Sequence, residues 1–231
     1  MFHLMKLELK KFKLQASIRG AIIASCIILG FIILLSFAEK ADGAIIFINY
    51  TESFLVIDTF VRATFIIFAA ALISKIIISE FKDKTITVLF MYPISRKKLM
   101  VSKLLVIMLF TFFAIVLANV FVSSLFYLIS LNVDLVQDTL TIAEVQKVAV
   151  KMVMNAVAAT GMSLIPLFFG MRKYSVPTTI ISSILIVTMV CSTSNGLTLN
   201  DIISIPITLA CIGLFIAYLS IRNIEKVDVI K

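Results

Sequence analysis

Few side chains in this sequence could do chemistry, and their spacing limits what that chemistry could be. The sole histidine is His3, and Cys26, Cys191 and Cys211 each sit inside an apolar run without CxxC spacing. A metal centre needs three or four such ligands converging from short spacings, so none is expected. The cysteines read as small apolar packing residues. The seven glycines form neither G-x-x-x-x-G-K nor G-x-G-x-x-G, so the chain has no phosphate cradle and does not hydrolyse ATP alone. Histidine-based hydrolysis has no base in the apolar runs. Neither catalytic residues nor a bound cofactor are therefore expected. Two charged groups stand out. Asp58 and Arg62 have the i, i+4 spacing of an ion pair, expected near the outer surface. The stretch from Glu80 to Lys103, EFKDKTITVLFMYPISRKKLMVSK, is a basic hinge between two long apolar segments.

What must position these groups is a set of membrane helices. Of the 231 residues, 61% are hydrophobic, and the mean hydropathy is +1.13. One globular core cannot bury that much apolar surface, so the bilayer acts as the solvent. Crossing about 30 Å of hydrocarbon takes about 20 apolar residues, all helical, because backbone groups in lipid must bond internally. Runs of this kind lie near 18–38, 57–79, 103–131, 149–171, 176–193 and 202–221, which predicts six spans in a single domain, 1–231.

The formal charge of +8 lacks the aromatic-interleaved basic face of a nucleic-acid binder, and topology explains it better. With both termini cytoplasmic, basic residues crowd the inner segments: Lys6, Lys10, Lys11, Lys13, Arg19, the hinge, Arg172, Lys173 and Arg222. Acids mark the outer ones: Glu39, Asp42, Glu52, Asp134, Asp138, Glu144 and Asp201. The small-x-small residues Ser36-Phe37-Ala38 could end a signal peptide, but the run before them is long enough to span, so an uncleaved first helix is expected. The front of the chain, residues 1–17, places Phe2, Met5, Leu9 and Phe12 on one face and lysines on another, as an interfacial helix does. Thr141 and Glu144 form a capping box opening the fourth helix, and Pro166 should kink it.

Within the hinge, residues 80–102, the pattern predicts a short surface helix ended by Tyr92-Pro93, with Ser95 capping the third long helix. Arg96, Lys97 and Lys98 then oppose that helix's dipole, and anionic headgroups or an acidic partner would offset them. Glu80, Thr85, Leu89, Pro93, Ile94, Ser95, Arg96 and Lys103 together resemble the hinge signature of type-two ABC exporter permeases, the membrane subunits that work with a separate ATPase. The spans, cytoplasmic termini and amphipathic front agree along the whole chain. The resemblance implies an all-α polytopic membrane protein that works as a dimer, docked through a coupling helix between spans two and three onto two ATPase subunits that hold ATP and Mg. Glu80, Thr85, Leu89, Pro93, Ser95 and Arg96 are then the coupling residues.

No Asp or Glu is expected mid-span, so the interior reads as neutral, unlike that of most ion-coupled carriers. Asn119, Ser123, Asn155 and Thr160 are candidates for a translocation path. For Asn119 and Asn155 the alternative is hydrogen bonding between helices. The resulting expectation is an export permease in a bacterial plasma membrane, moving a peptide or other amphipathic compound, with a homodimer as the working form. Small size, composition and short outer loops resemble bacterial peptide exporters and self-immunity permeases, including exporters of phenol-soluble modulins. The alternatives are a non-transporting immunity or sensor protein and an ion-coupled carrier.

Overall fold

The computed structural model describes residues 14–41, 49–83, 96–133, 141–191, 193–194, 197–198 and 204–222. Helix α1 runs Leu14–Ala41. Helix α2, Tyr50–Ile73, continues through a π-helical stretch, Ser74–Ile78, into a last turn, α3, Ser79–Lys82. There follow α4 (Arg96–Val133), α5 (Ile142–Met162), α6 (Ile165–Lys173), α7 (Val176–Cys191) and α8 (Ser204–Arg222). Thr193–Ser194 (β1) and Leu197–Thr198 (β2) form an antiparallel ladder, with Thr193 opposite Thr198. A plain turn-rich loop is expected there; Asn195-Gly196 between the strands is the hairpin dipeptide that signals otherwise.

Four described helical segments are long and apolar enough to cross a membrane: Gln15–Ala38, Tyr50–Lys82, Lys97–Asn132 and Ile142–Lys173. The protein is a multi-pass membrane protein. The apolar stretches Val176–Cys191 and Ile207–Arg222 are shorter. The interfacial helix at 1–17 lies almost wholly outside the described residues, as do the hinge's surface helix and Tyr92-Pro93.

Local chemistry explains the helix ends. At α5, the Thr141 N–H donates to Glu144 Oε2 at 3.1 Å and the Glu144 N–H to the Thr141 carbonyl at 3.0 Å, so the capping glutamate satisfies a donor that would otherwise be left at the terminus. Pro166 does more than kink. The helix stops at Met162 and restarts at Ile165, with Pro166 in the first turn of α6, where its missing N–H costs nothing. Tyr174 caps α6 in the left-handed conformation, φ 45°. Its ring stacks on Phe81 at 5.6 Å, a contact that offsets the strain of that backbone.

Contacts divide the chain into two compact units. Among the described residues the first gathers Gln15–Phe65 and Phe113–Ala156, and the second Ile66–Phe112 with those from Val157 on. The first unit buries Ile32, Ile57, Val61, Phe65, Ile115 and Phe126. Tyr50 Oη pairs with Ser130 Oγ at 2.9 Å. The second packs Leu72, Ile73, Ile77, Met100, Leu104, Ile107, Leu164 and Leu167 into one cluster.

Close helix approach in lipid depends on small residues, and in the second unit α5 and α8 show this. A Cβ on Gly161 would lie 2.7 Å from Ala210 Cβ, and one on Gly213 would collide with the Gly161 carbonyl. Gly213→Val should therefore cost about 1–3 kcal/mol through overpacking, read as a lowered melting temperature in detergent. Gly30→Ala is the control: a Cβ there meets nothing within 4 Å, so the melt should hold or rise.

Candidate functional site

Two buried polar constellations, one in each unit, are the candidate functional centres. The first unit holds Asp58, which the sequence places at the edge of an apolar run. Helix α2, however, begins at Tyr50, so Asp58 lies two turns inside it and is fully buried. Its Oδ1 accepts from Asn119 Nδ2 at 2.9 Å and its Oδ2 from Asn155 Nδ2 at 2.8 Å. Arg62 Nε lies 3.0 Å from Oδ2 and also reaches the Asp58 carbonyl at 3.3 Å, while Nη2 donates to Thr59 Oγ1 at 3.2 Å. The Asp58–Arg62 pairing is as the spacing predicts, and both residues are buried among the helices of this unit. Asp58 lies near the start of the candidate span Tyr50–Lys82, where its charge is compensated by a guanidinium and two amides.

Asn119 and Asn155 are thus brought together on one carboxylate, each joining its helix to α2. Ser123 lies one turn beyond Asn119 on α4 and lines a cavity with it. Thr160 is buried in the second unit.

The second centre is at the hinge. Glu80, in α3, and Lys103, two turns into α4, form a buried ion pair. Lys103 Nζ also donates to the Ile76 carbonyl at 3.3 Å. Ile76 belongs to the π-helical stretch, where Ser79 N–H bonds the Ser74 carbonyl five residues back. Such bulges loosen the helical ladder and recur at functional sites, and here one carbonyl accepts a bond from a neighbouring helix. A lysine held this way satisfies two acceptors with one charged head in a dry setting. The hinge glutamate is therefore turned inward, not left as a solvated helix end. Lys75, on the same stretch, is exposed, as a snorkelling residue should be.

The remaining hinge residues, Thr85, Leu89, Pro93 and Ser95, lie outside the described residues. Arg96 opens α4, and Lys97 and Lys98 of its first turn are exposed. Cys26, Cys191 and Cys211 are free thiols. Among the described residues no group of His, Cys, Asp and Glu could hold a metal.

Residues 4–191 match the family described as ABC-2 family transporter protein. The chain belongs to that family. Membership makes it an ABC permease, the transport component of its system, and implies an ABC ATPase as partner. A relative 48% identical over 226 residues, spanning 98% of this chain and 99% of its own length, is the uncharacterized protein YcbO of Bacillus subtilis (strain 168). No solved structure matches. Within the family frame, the buried Glu80–Lys103 pair sits at the two ends of the segment that the hinge signature occupies.

Proposed function

We propose that this permease exports a peptide or another amphipathic compound from a bacterial cell, driven by ATP hydrolysed on a separate subunit. The observation that carries the reading is the buried clasp of Glu80, Lys103 and the Ile76 carbonyl. It ties the helix entering residues 84–95 to the helix leaving them. A push delivered to that segment would reach both helices together instead of bending one. In this reading Arg96 and the exposed Lys97 and Lys98 meet the ATPase, with Thr85, Leu89, Pro93 and Ser95 shaping the contact, while Glu80 holds the elbow stiff from within.

The working form is a homodimer of six-span subunits with two ATPases, both termini cytoplasmic, in the plasma membrane. The distribution of basic residues supports the orientation, and the bacterial source of the relative supports the location. Asn119, Ser123, Asn155 and Thr160 contribute to the path. The self-immunity and phenol-soluble modulin readings rest on small size, composition and short outer loops.

Asp58 favours a second reading, an ion-coupled carrier, because a carboxylate within a span is where such carriers bind their ion. Its existing bonds to Arg62, Asn119 and Asn155 weigh against it, since they leave no unsatisfied charge. Co-purification and transport decide. The chain should carry a stoichiometric ATPase through purification, and a labelled amphipathic peptide should accumulate in inside-out vesicles only with ATP. Arg96→Ala should cut transport at least tenfold while the ATPase stays active. Transport that ignores ATP and collapses with the proton gradient would establish the carrier instead, and a chain that moves nothing and binds no ATPase would be a sensor.

A further inference from the structure

The first unit carries an open-sided cavity of about 290 Å³ with walls from α2, α4 and α5, including Phe54, Tyr127, Val148 and Met152. That is the small end of the range for ligand pockets, about 300–1,000 Å³. Asn119, Ser123, Ser124 and Tyr127 bring the polar atoms to an otherwise apolar lining. Asn119 Oδ1 and Ser123 Oγ are buried and have no hydrogen-bond partner. Neighbouring hydroxyls on α4 behave otherwise: Ser124 donates to the Phe121 carbonyl and Ser130 to the Tyr127 carbonyl, each at 3.0 Å.

The orientation of Asn119 follows from chemistry. Its Nδ2 must face Asp58, because a carboxylate only accepts. That leaves Oδ1, in a side chain 2% exposed, as an acceptor with nothing to accept from. The bond to the carboxylate polarises the amide and makes Oδ1 a stronger acceptor.

We infer that this cavity binds an apolar compound carrying one neutral hydrogen-bond donor, a hydroxyl or an amide N–H. The donor meets Asn119 Oδ1, Ser123 Oγ makes a second contact, and the apolar body fills the space against Tyr127 and Met152. Ions are disfavoured on both counts. Arg62 already compensates the nearby carboxylate, and apolar walls penalise any charge. A lipid-like alcohol and an apolar peptide segment share this chemistry.

Photolabelling of the purified full chain in lipid nanodiscs tests the site without ATP or turnover, so its outcome is separable from that of the export reading. Three diazirine probes are compared: a medium-chain alkanol, its methyl ether and an N-acylated leucine amide. At least one donor-bearing probe should label the segments around Tyr127 and Met152 about fivefold more than the ether, the usual worth of one hydrogen bond. Ser123→Ala should weaken that labelling. Ala149→Phe should abolish it by filling the cavity while the melting temperature holds or rises. Labelling by the alkanol alone points to a lipid-type ligand, and by the amide alone to a peptide. Equal labelling by ether and alkanol, or labelling that survives Ala149→Phe, overturns the assignment.

Discussion

Lys103→Ala is expected to be among the most damaging single substitutions in this protein, in stability and in coupling alike. It strands the Glu80 carboxylate in a site where that residue is 8% exposed and removes the donor to Ile76. Breaking a buried pair from one side typically costs about 3–5 kcal/mol, whereas replacing both partners by apolar residues can be neutral. Glu80→Leu with Lys103→Met should thus recover most of the melting temperature that either single change loses. Export should not recover, because the bond into the π-helical stretch is gone. The swapped pair, Glu80→Lys with Lys103→Glu, is a sharper probe: it restores the ion pair, but a glutamate cannot donate to the Ile76 carbonyl. A residual loss of about 1 kcal/mol is expected there. Single effects that simply add in the double mutants would show that the two residues do not act as a unit.

Asp58→Ala should be comparably severe for a different reason. One carboxylate receives Asn119, Asn155 and Arg62, so its loss strands two amide donors and a guanidinium that is 5% exposed. The expected cost is again about 3–5 kcal/mol. Asp58→Asn keeps the shape and one acceptor and should lose less. Asp58→Leu with Arg62→Met should lose less than Asp58→Ala, because no charge remains unpaired. Thermal melts in detergent rank the three. If Asp58→Ala melts like the parent chain, the network holds nothing together.

The sequence exposed what depends on near neighbours along the chain. The apolar runs located the long helices, Thr141 and Glu144 announced the start of α5, and Pro166 marked its interruption. The i, i+4 spacing of Asp58 and Arg62 gave their pairing. It could not give their depth. A hydropathy edge marks where apolar residues begin, near 57, but α2 begins at Tyr50, and the added turns pack around Asp58 and leave it fully buried. Longer-range pairs were out of reach: Asp58 and Asn155 are 97 residues apart, and Glu80 and Lys103 are 23 apart. Their meeting depends on how helices register against each other, which no periodicity encodes. The signature residues of the hinge drew attention to Glu80 and Lys103 separately. Only packing shows that they face one another.

The π-helical stretch Ser74–Ile78 also changes how α2 should be mapped. A π-turn takes up one residue more than an α-turn, so everything beyond it lags a regular helical wheel by up to about 100°. A helical wheel begun at Tyr50 therefore assigns the wrong side to Glu80 and Lys82. Cysteine-accessibility scans along this segment should be plotted as two wheels with a phase break at Ser74, or the lipid-facing and protein-facing stripes will appear to cross.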